Sequence, residues 1–246
     1  MEYLTTILYL TDNSLDKKLE TKCQENIARA SNSKPIVSVS QKPLDFGYNV
    51  CVGDIGRSGL SIDRQMKAGL DVIDTEYVAI AEHDCMYTQE HFDFVPPDKK
   101  YFWYNDNVYL VQASNPKFPE YDGMYSYTKG RRVQSQLICG TDALREVTDR
   151  KIAILSDPGW LELYPTGRLG EPGTNHLERT ERLARQDKTT HLWPEIKEYI
   201  TKYNAKDFKT KQPNLDIRHK SNFTGQRRGK NRTFDLAPWG KFKNII

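Results

Sequence analysis

The sequence predicts an α/β protein with a mainly parallel central sheet flanked by helices. Three observations carry that expectation. Short apolar, β-rich runs at 4–10, 36–40 and 77–81 alternate with stretches whose apolar residues recur at helical spacing. Each run ends in a polar cluster: Thr11-Asp12, Ser40-Gln41 and Glu82-His83-Asp84. The order strand, helix, strand, loop, helix, strand is how such folds open.

Leu4 to Leu10 forms the first strand, and Leu15, Leu19, Cys23 and Ile27 then mark one face of a helix that Asn13 or Ser14 can cap. Pro35 precedes the second strand, Ile36 to Ser40. Gly53 to Gly59 reads as a glycine-punctuated loop, and Ile62, Met66, Leu70 and Ile73 form the next helix face, which leads into the strand Tyr77–Ala81. Tyr101 to Tyr104 and Val108 to Gln112 read as a hairpin around Asn105-Asp106-Asn107. Gln136 to Cys139 is a short strand, with Thr141 or Asp142 capping a helix through Ile154. A second glycine-rich loop, Gly170-Glu171-Pro172-Gly173, follows. Residues 176–203 are charged and read as mostly helical, and Leu215 to Ile217 delivers Arg218-His219 into the C-terminal segment.

The 246 residues provide ample core, and the expected organisation is a domain over 1–217 with a basic segment, 218–246, packed on its active site. The mean hydropathy of −0.72 and the lack of any long apolar run exclude a membrane span, and the N-terminus lacks the basic region of a signal peptide. A cytoplasmic protein is expected. Cys23, Cys51, Cys85 and Cys139 lack metal-finger spacing and read as buried thiols. Cys85 lies beside Asp84, but no activating base stands near it in sequence.

Net charge is +3, unevenly spread: from Arg218 onward eight Lys and Arg face one acid, Asp235. A basic end on an acidic body points to a polyanionic partner, nucleotide phosphates or nucleic acid. Phe223, Phe234, Trp239 and Phe242 interleave with those cations, a composition unlike that of a disordered tail.

The most informative stretch is Glu82-His83-Asp84. Two carboxylates one residue apart at a strand end face the same way, and their repulsion is relieved when a hard divalent cation, Mg2+ or Mn2+, sits between them and carries substrate phosphates. In parallel sheets ligands bind beyond the carboxyl ends of the strands, where all three polar clusters lie.

With these residues in place, the chain resembles the GT-A glycosyltransferases, family-2-like enzymes using nucleotide-sugar donors. The resemblance runs over roughly residues 4–225, and its diagnostic element is the acidic motif at the position of the family's Asp-X-Asp. Glu82 stands where the first Asp is usual. The resemblance implies a donor, UDP-glucose being the commonest, with base and ribose near Thr11, Asp12, Ser40 and Gln41, assisted by Arg57 or Arg64 and by His83. It implies metal ligation by Glu82, Asp84 and a late His219, and a diphosphate met by Lys220, Arg227 and Arg228. For an inverting enzyme it implies a general base, assigned to Glu171. The tail resembles endings of small phage-type glycosyltransferases, some of which modify hydroxymethylated pyrimidines in DNA. That likeness makes Arg227, Arg228, Lys230 and Arg232 candidates for nucleic-acid contact and DNA the favoured acceptor. A surface glycan as acceptor, and a non-catalytic binding protein of the same fold, stay open beside it.

Overall fold

The computed structural model describes residues 4–113, 119–127, 129–164, 167, 169–174, 187–220, 222 and 230–245. The chain is mixed α/β, with a mostly parallel central sheet flanked by helices. The seven-stranded sheet has the order β10-β6-β9-β4-β1-β2-β3. Its strands are β1 (Thr5–Thr11), β2 (Ile36–Ser40), β3 (Tyr48–Cys51), β4 (Tyr77–Glu82), β6 (Tyr101–Asn105), β9 (Leu137–Gly140) and β10 (Asn204–Phe208). Only β9 runs against its neighbours. A second, five-stranded sheet has the order β12-β8-β7-β11-β5. It comprises β5 (Cys85–Met86), β7 (Val108–Gln112), β8 (Tyr125–Tyr127), β11 (Asn214–Arg218) and β12 (Lys230–Thr233).

β1 and β4 are buried on both faces, as a parallel sheet covered by helices demands. On one face Leu8, Val39, Ile80 and Phe102 pack against α2 (Gly59–Leu70), α4 (Thr141–Leu155) and α6 (Trp193–Lys202), which follows α5 (Pro158–Leu163). α2 lies close enough that a Cβ on Gly69 would meet Leu8 Cδ1 at 2.4 Å, so any larger residue there would displace Leu8 and Val39. On the other face Ile7, Tyr9 and Ala79 meet α1 (Lys17–Ala30) and α3 (Gln89–Asp93) through Ile27 and Phe92.

Two helix caps differ from the expected ones. α1 is capped by Asp16, whose side chain accepts from Lys18 N and Leu19 N, and not by Asn13 or Ser14. Asn13 adopts a left-handed backbone, φ 56°, and its Oδ1 accepts from Gln41 N and Lys42 N at 2.9 and 2.8 Å, tying the end of β1 to the end of β2. α4 begins from Gly140, because the Thr141 hydroxyl donates to Thr75 O at 2.7 Å instead of capping.

The expected hairpin is absent among the described residues: β6 and β7 enter different sheets. Asn105 is buried; its Oδ1 accepts from Asn107 N at 3.0 Å and its Nδ2 donates to Thr210 Oγ1 at 3.0 Å. Asn107 Nδ2 also donates to Thr210 O, at 2.9 Å. A turn bonded to the segment after β10 carries the chain across to the second sheet. Of the stretch expected to be helical, 193–202 is helix, 187–192 is a 3-10 turn and 175–186 lie outside the described residues.

The C-terminal segment supplies β12, paired antiparallel with β8. Phe242 is buried with Leu15, Leu19 and Tyr125, and Trp239 Nε1 donates to Pro213 O at 2.7 Å. The interleaved aromatics that the sequence displays are thus partly core.

His91 gives the fold a pH dependence. It is fully buried between Tyr87 and Phe208, and burial pushes its imidazole down to about 3. The unfolded chain takes up this proton near pH 6.5 and the native state does not, so the contribution is complete above about 6.5 and is lost as pH falls toward 3. Stability is expected to drop by ~2 kcal/mol between pH 6.5 and 5 from this residue alone. Urea midpoints for wild type and His91→Leu at both pH values check it: the variant should lose that part of the slope, and an unchanged slope refutes the assignment.

Candidate functional site

β1 and β4 are adjacent and parallel, in register from Thr5 with Tyr77 to Leu10 with Glu82, so their carboxyl ends open together. The backbone turns at His83-Asp84 and re-enters as β5 in the second sheet. There β11 pairs antiparallel with β5, setting Asp216 opposite Cys85, and Ile217 N donates to Asp84 O at 2.8 Å. That register brings the end of β11 to the acidic turn. A cleft opens here, lined by Thr11, Asp12, Arg57, Glu82, His83 and Asp84. Arg131, Gln134, Ser135, Glu171, Asp216, Arg218 and Asn222 line it as well.

Asp84 is buried and its Oδ2 accepts from Asn222 Nδ2 at 2.7 Å, with His219 Nε2 3.5 Å away. Burial pushes the carboxyl up, but the hydrogen bond to His219 and the charges of His83 and Arg218 outweigh it and hold Asp84 well below the usual carboxylate range. His83 Nδ1 shares a hydrogen bond of 2.8 Å with Thr11 Oγ1 and lies 3.7 Å from Asp12 Oδ1. Arg57, from the loop with Gly53 and Gly56 at positive φ, donates its Nε to Asp12. Burial raises Asp12, but the bond from Ser14 and the charges of His83 and Arg57 bring it below its ordinary value.

Ligand atoms of His83, Asp84 and His219 lie within 4.8 Å of one another, as do those of Glu82, Asp84 and Cys85. Two imidazoles and a carboxylate form a donor set that fits a divalent transition ion such as Mn2+ better than Mg2+, which prefers oxygen throughout. Cys85 is buried at 0% exposure, and desolvation followed by the charge of Asp84 pushes its thiol well up, which argues against a nucleophile.

Glu171 is not a surface carboxylate: it is 2% exposed and lines the cleft. Its Oε1 accepts from Lys151 Nζ at 2.9 Å, and the same ammonium lies 2.7 Å from Asp63 Oδ1. Its loop is held by Tyr104 Oη donating to Pro172 O and Tyr199 Oη donating to Gly170 O, at 2.9 and 2.8 Å.

Other expected residues fall elsewhere. Ser40 is fully buried under Asn49, and Gln41 spends its Nε2 on Gly56 O at 2.7 Å, bracing the glycine loop. Both organise the site without lining it. Arg64 points outward from α2, and Lys220 is exposed beyond β11. Arg232 is exposed with its guanidinium 5.8 Å from the centre of the Tyr121 ring. The backbone of Lys230 begins β12, while Arg227 and Arg228 lie outside the described residues. Sequence reasoning missed Arg131, Asp216, Asn222, Lys151 and Asp63, and gave Arg218 only as the start of a tail. The one signal available was the apolar run Leu215–Ile217, interrupted by Asp216, which marks a strand carrying a buried charge.

No protein-family model matches the chain, and no curated protein matches it. Among solved structures it is similar to the bifunctional IspDF from Campylobacter jejuni: 14% identity, 78% of this chain and 54% of that one, TM-score 0.39. It is also similar to a glycosyltransferase involved in the glycosylation of the major capsid of PBCV-1, at 9% identity, 83% and 82% coverage and TM-score 0.42. A third is S. aureus TarS 1-349 in complex with UDP-GlcNAc, at 10% identity, 89% and 60% coverage and TM-score 0.40. The chain thus spans about half of IspDF and 60% of the TarS fragment.

Proposed function

We propose that the cleft is the donor site of a metal-dependent glycosyltransferase that moves a hexose from a nucleotide sugar, with UDP-glucose the first donor to test. The observation that carries this reading is the convergence of Glu82, His83, Asp84 and His219 at the carboxyl ends of β1 and β4, beside Arg57 and Arg218. Acids that ionise against burial need cations, and a nucleoside diphosphate with its metal supplies and consumes charge at such a place.

His83, Asp84 and His219 would hold the ion, with Glu82 reaching it directly or through water; when bound, the ion neutralises the departing diphosphate. Arg57 and Arg218 add positive charge on either side. Thr11 fixes the His83 ring, and Asp12 sets the Arg57 guanidinium. Glu171 receives the acceptor hydroxyl proton, its carboxylate positioned by the hydrogen bond from Lys151. The acceptor is a hydroxymethylated pyrimidine in DNA on the strength of the basic tail. Neutralising Arg227 and Arg228 should weaken DNA binding and flatten its salt dependence.

Thermal shift with UDP and Mn2+ together, against each alone, tests the donor site. At a hundredfold excess over Kd, binding adds about 2.7 kcal/mol, a rise of roughly 5–10 °C for a chain of this size. No shift with any nucleoside diphosphate plus Mn2+ overturns the reading, and mass spectrometry with a panel of nucleotide sugars and hydroxymethylated DNA then identifies product. Glu171→Gln, which leaves Lys151 paired with Asp63, should keep UDP affinity within about twofold while slowing transfer by ~10²–10⁴-fold. An unchanged rate places the base elsewhere.

A further inference from the structure

We propose that Arg131 grips an oxyanion, a phosphate or a carboxylate, carried by the molecule that accepts the sugar. The inference rests on the donor-site reading above and assigns the opposite end of the same cleft.

In the seven-stranded sheet β4 lies between β1 and β9. Thr11, Asp12 and Arg57 belong to the β1 side, the acidic turn follows β4, and Arg131, Gln134 and Ser135 stand on the chain just ahead of β9. The cleft therefore runs from the end assigned to the nucleotide, past Asp84, to Arg131. Glu171, the proposed base, lines this same cleft. A group beyond the metal ligands, on the side away from the nucleotide, meets the acceptor.

Asp216 Oδ2 accepts from both Arg131 Nη2, at 2.9 Å, and Arg218 Nη2, at 2.6 Å. One carboxylate thus serves two guanidinium groups. Arg218 faces Asp84 as well as Asp216, so its charge is already answered. Arg131 has only Asp216: its side chain is 14% exposed, and its Nη1 is buried without a hydrogen-bond partner among the described residues. A buried N–H left without an acceptor costs free energy, and a guanidinium offers its donors as a planar fork matched to two oxygens of one anion. Asp216 takes Nη2 of that fork and leaves Nη1 without an acceptor.

The test uses the full chain saturated with UDP and Mn2+, titrated by NMR with sulfate as a tetrahedral probe and acetate as a planar one. One or both should bind while UDP stays bound, with the tighter probe reporting the acceptor's anion class. Arg131→Gln should weaken that binding at least tenfold and Arg131→Lys less, with UDP–Mn2+ affinity within about twofold in both. Failure of both anions to bind the loaded wild type overturns the inference. So does displacement of the anion by UDP, or a loss of UDP affinity in Arg131→Gln equal to the loss for the anion; either result makes Arg131 a donor residue. If the wild type binds no nucleotide with Mn2+, the donor reading has failed, and the same titrations on unloaded protein still decide the oxyanion site. A tenfold loss in Arg131→Gln supports it, and equal binding in wild type and variant removes it.

Discussion

Asp84→Asn should lose Mn2+-dependent stabilisation by UDP and slow sugar transfer by ~10³-fold, about 4 kcal/mol of transition-state stabilisation. The substitution preserves shape and one acceptor oxygen, so Asn222 keeps a partner. What disappears is the charge that His83, His219 and Arg218 hold ionised against burial. Without it the remaining imidazoles have no anionic companion, and the diphosphate departs without its counter-charge. His219→Ala should act in the same direction and more weakly, since His83 and Glu82 remain. Calorimetry with UDP in the presence and absence of Mn2+ separates metal-dependent from metal-independent binding, and single-turnover rates follow the chemistry. Wild-type turnover in Asp84→Asn, with Mn2+ still required, would falsify the metal assignment.

The parts of this cleft that were readable in the sequence share one property: they sit where a continuous apolar run stops. Thr11-Asp12 and Glu82-His83-Asp84 end strands buried on both faces, and such strands announce themselves by composition. β10 gave no such signal because Asn204–Phe208 is a largely polar edge strand with no fully buried position. The Asn105–Asn107 turn was misread because its composition suits a hairpin, while the pairing of β6 with β10 and of β7 with β11 depends on strands a hundred residues later. His219 enters through the family resemblance, while Leu215 to Ile217 places it only at the end of a strand. Arg131 and Asp216 meet across 85 positions of sequence, which no local spacing shows. Lys151 and Asp63 each occupy one helix among other charges, and nothing local separates a buried charge from a solvated one. Only the packing of α2 against α4 makes them a pair.

That pair carries the largest expected stability effect. Lys151, Asp63 and Glu171 are all buried, with one ammonium 2.7 and 2.9 Å from the two carboxylates. Burial alone would push the Lys151 ammonium down; the two carboxylates outweigh it and hold it above its ordinary value. Lys151→Met keeps the length of the side chain and removes the charge, leaving two carboxylates in one buried volume with no cation between them. The expected cost is ~3–5 kcal/mol at neutral pH, as for other buried pairs broken from one side. The sign of its pH dependence is distinctive. Carboxylates stranded in this way have folded-state pKa values above their unfolded ones, so the variant's native state takes up protons first as pH falls. Its deficit relative to wild type should therefore shrink on acidification, whereas a simple packing defect would stay constant. Adding Asp63→Asn and Glu171→Gln to Lys151→Met should recover most of the loss at neutral pH, because no buried charge then remains. Urea denaturation of the three proteins across pH 5 to 8 provides the check, and a cost below about 1 kcal/mol for the single variant would mean that water reaches these carboxylates.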